Sequence, residues 1–226
     1  MDGSLALIEV VDISTMHRLE LEHCYRKDAS VTCLAWFSED RPFAVGYSDG
    51  KLLIGTKEPL EKGGIVLVDA HKDMIVSMKW DPTGKILLTC AKEETVKLWG
   101  YIGGCWRRLH SLSHPALVNG IAWCALPGKG PKLQLLLATG CHNGLVCVWT
   151  VPQDIVITMQ ANSTCSEGWW DQETSAKDAY RKAVEVKCVF QLRGHITPVR
   201  TVAFSPDGLA LVSGGLGGLM NIWSLR

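Results

Sequence analysis

Nine cysteines and seven histidines offer the residue types for zinc binding, disulfides or nucleophilic chemistry. Their spacing points elsewhere. No two cysteines form a C-x-x-C pair, their number is odd, and the N-terminal MDGSLALIEVV lacks the basic flank and long apolar block of a secretory signal. Cys33, Cys90, Cys124, Cys141, Cys147 and Cys188 all fall inside apolar, strand-like runs. They read as small buried hydrophobes in a reducing compartment rather than as a zinc site or a disulfide framework. No Walker or Rossmann glycine loop is present, and GGLGG (214–218) sits in a strand-to-strand turn. G-x-S-x-G, H-E-x-x-H and paired catalytic carboxylates are missing too. No cofactor or metal is expected. A hydrolase working through His142 or Asp73 is the alternative that turnover sensitive to those residues would revive.

The elements that must carry these residues follow from composition and periodicity. The 226 residues are 47% hydrophobic, with 23 basic and 23 acidic side chains. That balance suits a globular protein and leaves no basic footprint for nucleic acid. No apolar run approaches the roughly 20 residues of a membrane-spanning helix. The expectation is a cytoplasmic chain with neither nucleic-acid partner nor membrane insertion.

The chain repeats itself. Residues 70–100, 113–150 and 194–224 each contain a histidine (His71, His114, His195) and, four positions on, a β-branched residue (Ile75, Val118, Val199). An aromatic follows five positions later (Trp80, Trp123, Phe204). Next come a turn, an apolar strand, a second turn and an alternating strand that ends in Trp99, Trp149 or Trp223. His71 to Trp99 and His195 to Trp223 are both 28 residues; His114 to Trp149 is 35, lengthened by a Gly/Pro-rich turn at 127–131. A degenerate copy at 27–56 keeps Val31, Trp36 and the Asp49-Gly50 turn, but has Lys27 for the histidine and Gly55 for the tryptophan. Alternation in TVKLW and LVCVW puts Val96, Leu98, Val146 and Val148 on one strand face. One such sheet cannot bury both faces alone, so successive sheets must stack. Glycine in the Asp49-Gly50 and Asn143-Gly144 turns supplies a positive φ.

This pattern resembles the WD-repeat family, whose units each form one four-stranded blade of a β-propeller. The resemblance covers almost the whole chain except 152–183 and implies an all-β fold of four antiparallel strands per blade. It also implies a polar network of loop His, strand Ser/Thr, turn Asp and strand Trp. Carried over, one blade offers His71, Thr89, Glu93 and Trp99; the next His114, Thr139, Asn143 and Trp149; the last His195, Ser213, Gly217 and Trp223. No blade keeps all four family residues, so uneven blade stability is expected. The wording of 70–100 and 194–224 further resembles the propeller of giant HERC-type E3 ubiquitin ligases, which carry RCC1-like domains and a C-terminal HECT domain. That resemblance implies a segment of a larger ligase, with links to ubiquitination, Golgi membranes and vesicle traffic. A scaffold subunit without ligase activity is the alternative.

The blades are expected at 27–69, 71–112, 114–193 (with an insertion at 152–185) and 195–226, the last lacking its outer strand, in a single region 1–226 preceded by a partial blade at 1–24. This incomplete propeller of about four blades and a part reads either as a small ring closed by strand 16–24, or, as favoured, as an excerpt whose remaining blades lie elsewhere in the parent. In the insertion, Ala176, Ala179, Tyr180, Ala183 and Val184 follow helical spacing, suggesting a surface helix over 173–184. Trp169 and Trp170 just upstream pin the insertion to the rim or anchor a partner. The resemblance also places a protein- or peptide-binding face on the loops that carry Ser48, Lys72, Asp73, Lys92, His142 and Leu216, with Pro115, Ile196 and Thr197 beside them. The function read from all this is a non-catalytic protein-interaction platform.

Overall fold

The computed structural model describes residues 6–12, 15–20, 28–38, 42–55, 65–102, 105–127, 133–152, 155 and 185–225, the first two stretches by their backbone alone. Lys27, most of the 127–131 turn, Trp169, Trp170 and the expected 173–184 helix lie outside the described residues.

Alternating apolar residues and turn-forming Gly, Asp and Asn produce an all-β chain. Strands β1 (Ala6–Asp12) and β2 (Thr15–Glu20) form an antiparallel pair. The first four-stranded sheet is β3 (Val31–Trp36), β4 (Phe43–Tyr47), β5 (Lys51–Gly55) and β6 (Ile65–Asp69), in that order. The second is β7 (Ile75–Trp80), β8 (Ile86–Ala91), β9 (Thr95–Ile102) and β10 (Cys105–Ser113). The third is β11 (Val118–Pro127), β12 (Leu133–Cys141), β13 (Leu145–Val151) and β14 (Lys187–Arg193). The fourth has three strands among the described residues: β15 (Val199–Phe204), β16 (Ala210–Gly215) and β17 (Met220–Ser224). Pairing strictly between sequence neighbours makes each sheet a meander, the arrangement of propeller blades.

The chain divides into two compact units, residues 1–76 and 77–226. The division falls inside β7 rather than at the blade boundary near residue 70. In the 77–226 unit, the third and fourth sheets stack through Ala122, Ala138, Val146 and Val148 against Val199, Val202 and Leu211. These positions alternate along their strands, so one face of each sheet is committed to its neighbour.

In the first and third sheets, the hairpin between the second and third strands turns on one left-handed glycine. Gly50 and Gly144 have φ of 81° and 83°, and among the described residues only glycines have positive φ. Asp49 and Asn143 act instead through their side chains, which accept from the Lys51 and Leu145 amides at 3.2 Å. The first strands of the first, third and fourth sheets share a bulge, between Val31 and Cys33, Val118 and Gly120, and Val199 and Thr201. The bulge frees a side chain to tie one strand to the next repeat. Thr32 Oγ1 donates to the Ile75 carbonyl at 2.6 Å, and Asn119 Nδ2 to the Val199 carbonyl at 3.0 Å.

The first sheet replaces the polar positions with apolar ones. Phe43 pairs with Gly55 where the other sheets pair Leu87 with Trp99, Leu137 with Trp149 and Leu211 with Trp223. A Cβ on Gly55 would lie 2.7 Å from Phe43 Cζ, so the ring occupies the space a side chain there would need. Val45 stands at the Thr/Ser position, inside a core of Ala29, Phe43, Tyr47 and Leu53.

Candidate functional site

The third blade shows how the repeated polar residues work together. His114 is only 6% exposed, and its Nδ1 lies 3.1 Å from the Leu112 carbonyl. A carbonyl only accepts, so Nδ1 carries the proton of the neutral ring and Nε2 is the acceptor. Thr139 Oγ1, 2.9 Å away, donates to that Nε2, and accepts in turn from Trp149 Nε1–H at 3.2 Å. The His114 and Trp149 rings meet edge to face at 5.2 Å. Burial holds the His114 pKa down at about 4, against smaller opposing contributions from the Leu112 and Glu94 backbone. The ring is therefore neutral at physiological pH and serves as a structural acceptor.

The fourth blade repeats the junction. His195 Nε2 and Ser213 Oγ are 2.7 Å apart, and Trp223 Nε1 donates to the same oxygen at 2.8 Å. In the second, Trp99 Nε1 donates to Thr89 Oγ1 at 2.9 Å. His71, in the 1–76 unit, is buried. Glu93 accepts from Thr95 Oγ1 at 2.8 Å and pairs with Lys97 at 3.5 Å. Asn143 is exposed and caps its own hairpin, while Gly217 adopts φ 94° with open space around it.

The residues expected on the partner face separate by environment. In the 1–76 unit, Lys72 and Asp73 are exposed, and Asp73 accepts from the Met74 amide at 2.6 Å. Ser48 is half-buried and its Oγ accepts from the Ser30 amide at 2.9 Å, which ties down the start of β3. In the 77–226 unit, Lys92, His142 and Leu216 are exposed on the turns between second and third strands. The loops before β11 and β15 lie against those turns. The His142 amide donates to the Leu117 carbonyl at 2.7 Å, and the Leu216 amide to the Pro198 carbonyl at 2.9 Å. Gly144 sits so close to the His195 and Thr197 carbonyls that no side chain would fit between them.

This framework holds apolar side chains out in water. Ile196 is 96% exposed, Leu216 42% and Leu117 39%, with exposed Pro115 beside them. Leu117 escaped sequence reasoning because a lone leucine in a loop carries no periodic signal. Among the described residues, no group of three or more His, Cys, Asp or Glu could hold a metal ion. None of their helices is long and apolar enough to cross a membrane.

The repeats agree with known sequences. The family described as WD domain, G-beta repeat matches residues 65–100 and 186–224, which include the second and fourth blades' His–Trp spans. Those two stretches are similar to WD repeats. Pre-mRNA-processing factor 19 of Oryza sativa subsp. japonica is 26% identical over 170 residues, covering 69% of this chain and 31% of that protein. Cell division cycle 20.6, cofactor of APC complex, of Arabidopsis thaliana is 23% identical over 216 residues, or 88% of this chain and 48% of its own length. A p21-activated protein kinase-interacting protein 1-like protein of Danio rerio is 21% identical over 226 residues, covering 94% of this chain and 56% of that protein. The chain thus spans between 31% and 56% of these relatives.

Proposed function

We propose that this chain is a non-catalytic platform whose WD-repeat loops capture another protein or peptide. The carrying observation is Ile196, 96% exposed yet held in a loop hydrogen-bonded to the neighbouring turn. An apolar side chain kept in water on a rigid frame costs little backbone ordering when a partner covers it. Leu117, Leu216 and Pro115 add exposed apolar side chains on these loops and turns, and Lys92 and His142 add exposed polar ones. Trp169 and Trp170 remain candidate anchors. Proximity labelling tests the reading with wild type, Ile196→Asp, Trp169→Ala/Trp170→Ala and an Arg107→Ala surface control. Specific partners lost with Ile196→Asp and kept by the control support it; an unchanged partner set for Ile196→Asp retires it.

A finer reading places the chain in a HECT-type ubiquitin ligase with a cytoplasmic or Golgi-associated setting. It rests on the resemblance of 70–100 and 194–224 to HERC-type propellers, while the relatives above are named for other roles. A HECT domain in the full reading frame supports that parent; a frame without one favours a scaffold subunit.

A further inference from the structure

Three of the cysteines converge on one face of the third sheet. Cys141 ends β12, two residues beyond Thr139, and Thr139 pairs with Cys147 on β13, so both thiols share that face. On β14 the register slips: Val148 pairs with Phe190, but Trp149 pairs with Cys188. In an unbroken ladder Cys188 would oppose Thr150 and point to the other side. The extra residue, Val189, moves Cys188 onto the face of Cys147 and Trp149. The Cys147 thiol lies within hydrogen-bonding reach of both Cys141 and Cys188. Cys141 and Cys147 are buried whereas Cys188 is exposed, so this cluster has one thiol open to solvent. All three are free thiols in the structure.

We propose that Cys188 and Cys147 are a reversible modification site, at which a peroxide converts the pair to a disulfide. Burial and the neighbouring Cys147 thiol push the Cys188 pKa up, so it is the minor thiolate form that attacks one peroxide oxygen; the O–O bond breaks, and one water leaves after protonation, giving a sulfenic acid. The Cys147 sulfur then attacks the Cys188 sulfur. The S–S bond forms, the S–O bond breaks, and the Cys147 proton leaves with the hydroxyl as a second water. Two thiols are oxidised by two electrons and one peroxide is reduced to two waters. The bond joins β13 to β14 at the root of the connection between them, closing residues 147–188 into a covalent loop. Such a closure restrains the unfolded chain and raises the melting temperature.

The test is peptide mapping of the protein under non-reducing conditions, before and after hydrogen peroxide. A cross-linked pair of peptides containing Cys147 and Cys188, reversed by dithiothreitol, is the expected product. Cys188→Ser, at an exposed position, abolishes the link, and Cys141→Ser retains it. Cys188 found only as sulfinic or sulfonic acid with Cys147 still alkylatable overturns the proposal. So does a Cys188 link to any other cysteine, including one in a second copy.

Discussion

Acidification probes the His114 junction directly. The folded pKa of about 4 lies below the ordinary 6.5, so the unfolded chain binds this proton more readily than the folded one. The stabilisation is fully present above pH 6.5, falls as the pH drops from 6.5 towards 4, and levels off below that. Linkage between these two values gives a loss of about 2 kcal/mol between pH 7 and pH 5. For a unit of this size, that is a fall in Tm of about 4–8 °C. Differential scanning calorimetry at the two pH values measures it, with His114→Gln as the comparison that cannot titrate here. The difference between the two proteins' pH shifts isolates His114 from the other six histidines. Equal shifts would sink the argument, as would a His114 imidazole resonance titrating near 6.5 in the folded protein. Either result would mean that the ring can take up a proton without leaving its place against Thr139.

Two further outcomes follow from the same geometry. Trp149→Phe removes one N–H donor and is expected to cost about 1 kcal/mol, whereas Thr139→Val strands both the Trp149 N–H and the His114 acceptor and costs about 2–4 kcal/mol. In denaturant titration the double variant should lose less than the sum, and additive losses would show that the hydroxyl does not bridge the two rings. Gly144→Ala and Gly217→Ala both force alanine into a left-handed backbone, at about 1–2 kcal/mol each. Only the first also drives a methyl into the His195 carbonyl, adding about 2 kcal/mol of overpacking, so equal melting temperatures for the two variants would contradict the packing.

Much of the fold was legible before any coordinates. The His-to-Trp spacing and the alternation ending in Trp99, Trp149 and Trp223 set both strand register and the polar junctions, because a period of two and a fixed loop length leave few arrangements. Cys188 was less transparent. Its apolar run suggested burial, but a one-residue bulge turned it to the thiol face, and alternation carries no trace of a bulge that the partner strand imposes. Thr32 and Asn119 looked like ordinary strand residues; their role as tethers comes from the bulged first strands. The exposure of Ile196 was invisible for a similar reason, since it depends on what the neighbouring turns leave uncovered.

The transposed pair in the first blade carries a lesson for anyone repairing this sequence towards its repeat consensus. An average over the other blades would write tryptophan at position 55 and leucine at position 43. Either change alone is a defect. Tryptophan at 55 collides with the phenylalanine ring already occupying that volume, and leucine at 43 leaves a void over a bare glycine. The two must change together, and even then Val45 offers the new indole no hydroxyl. Here the route from a decayed repeat back to a regular one crosses a valley, and single-site optimisation will stop at its edge.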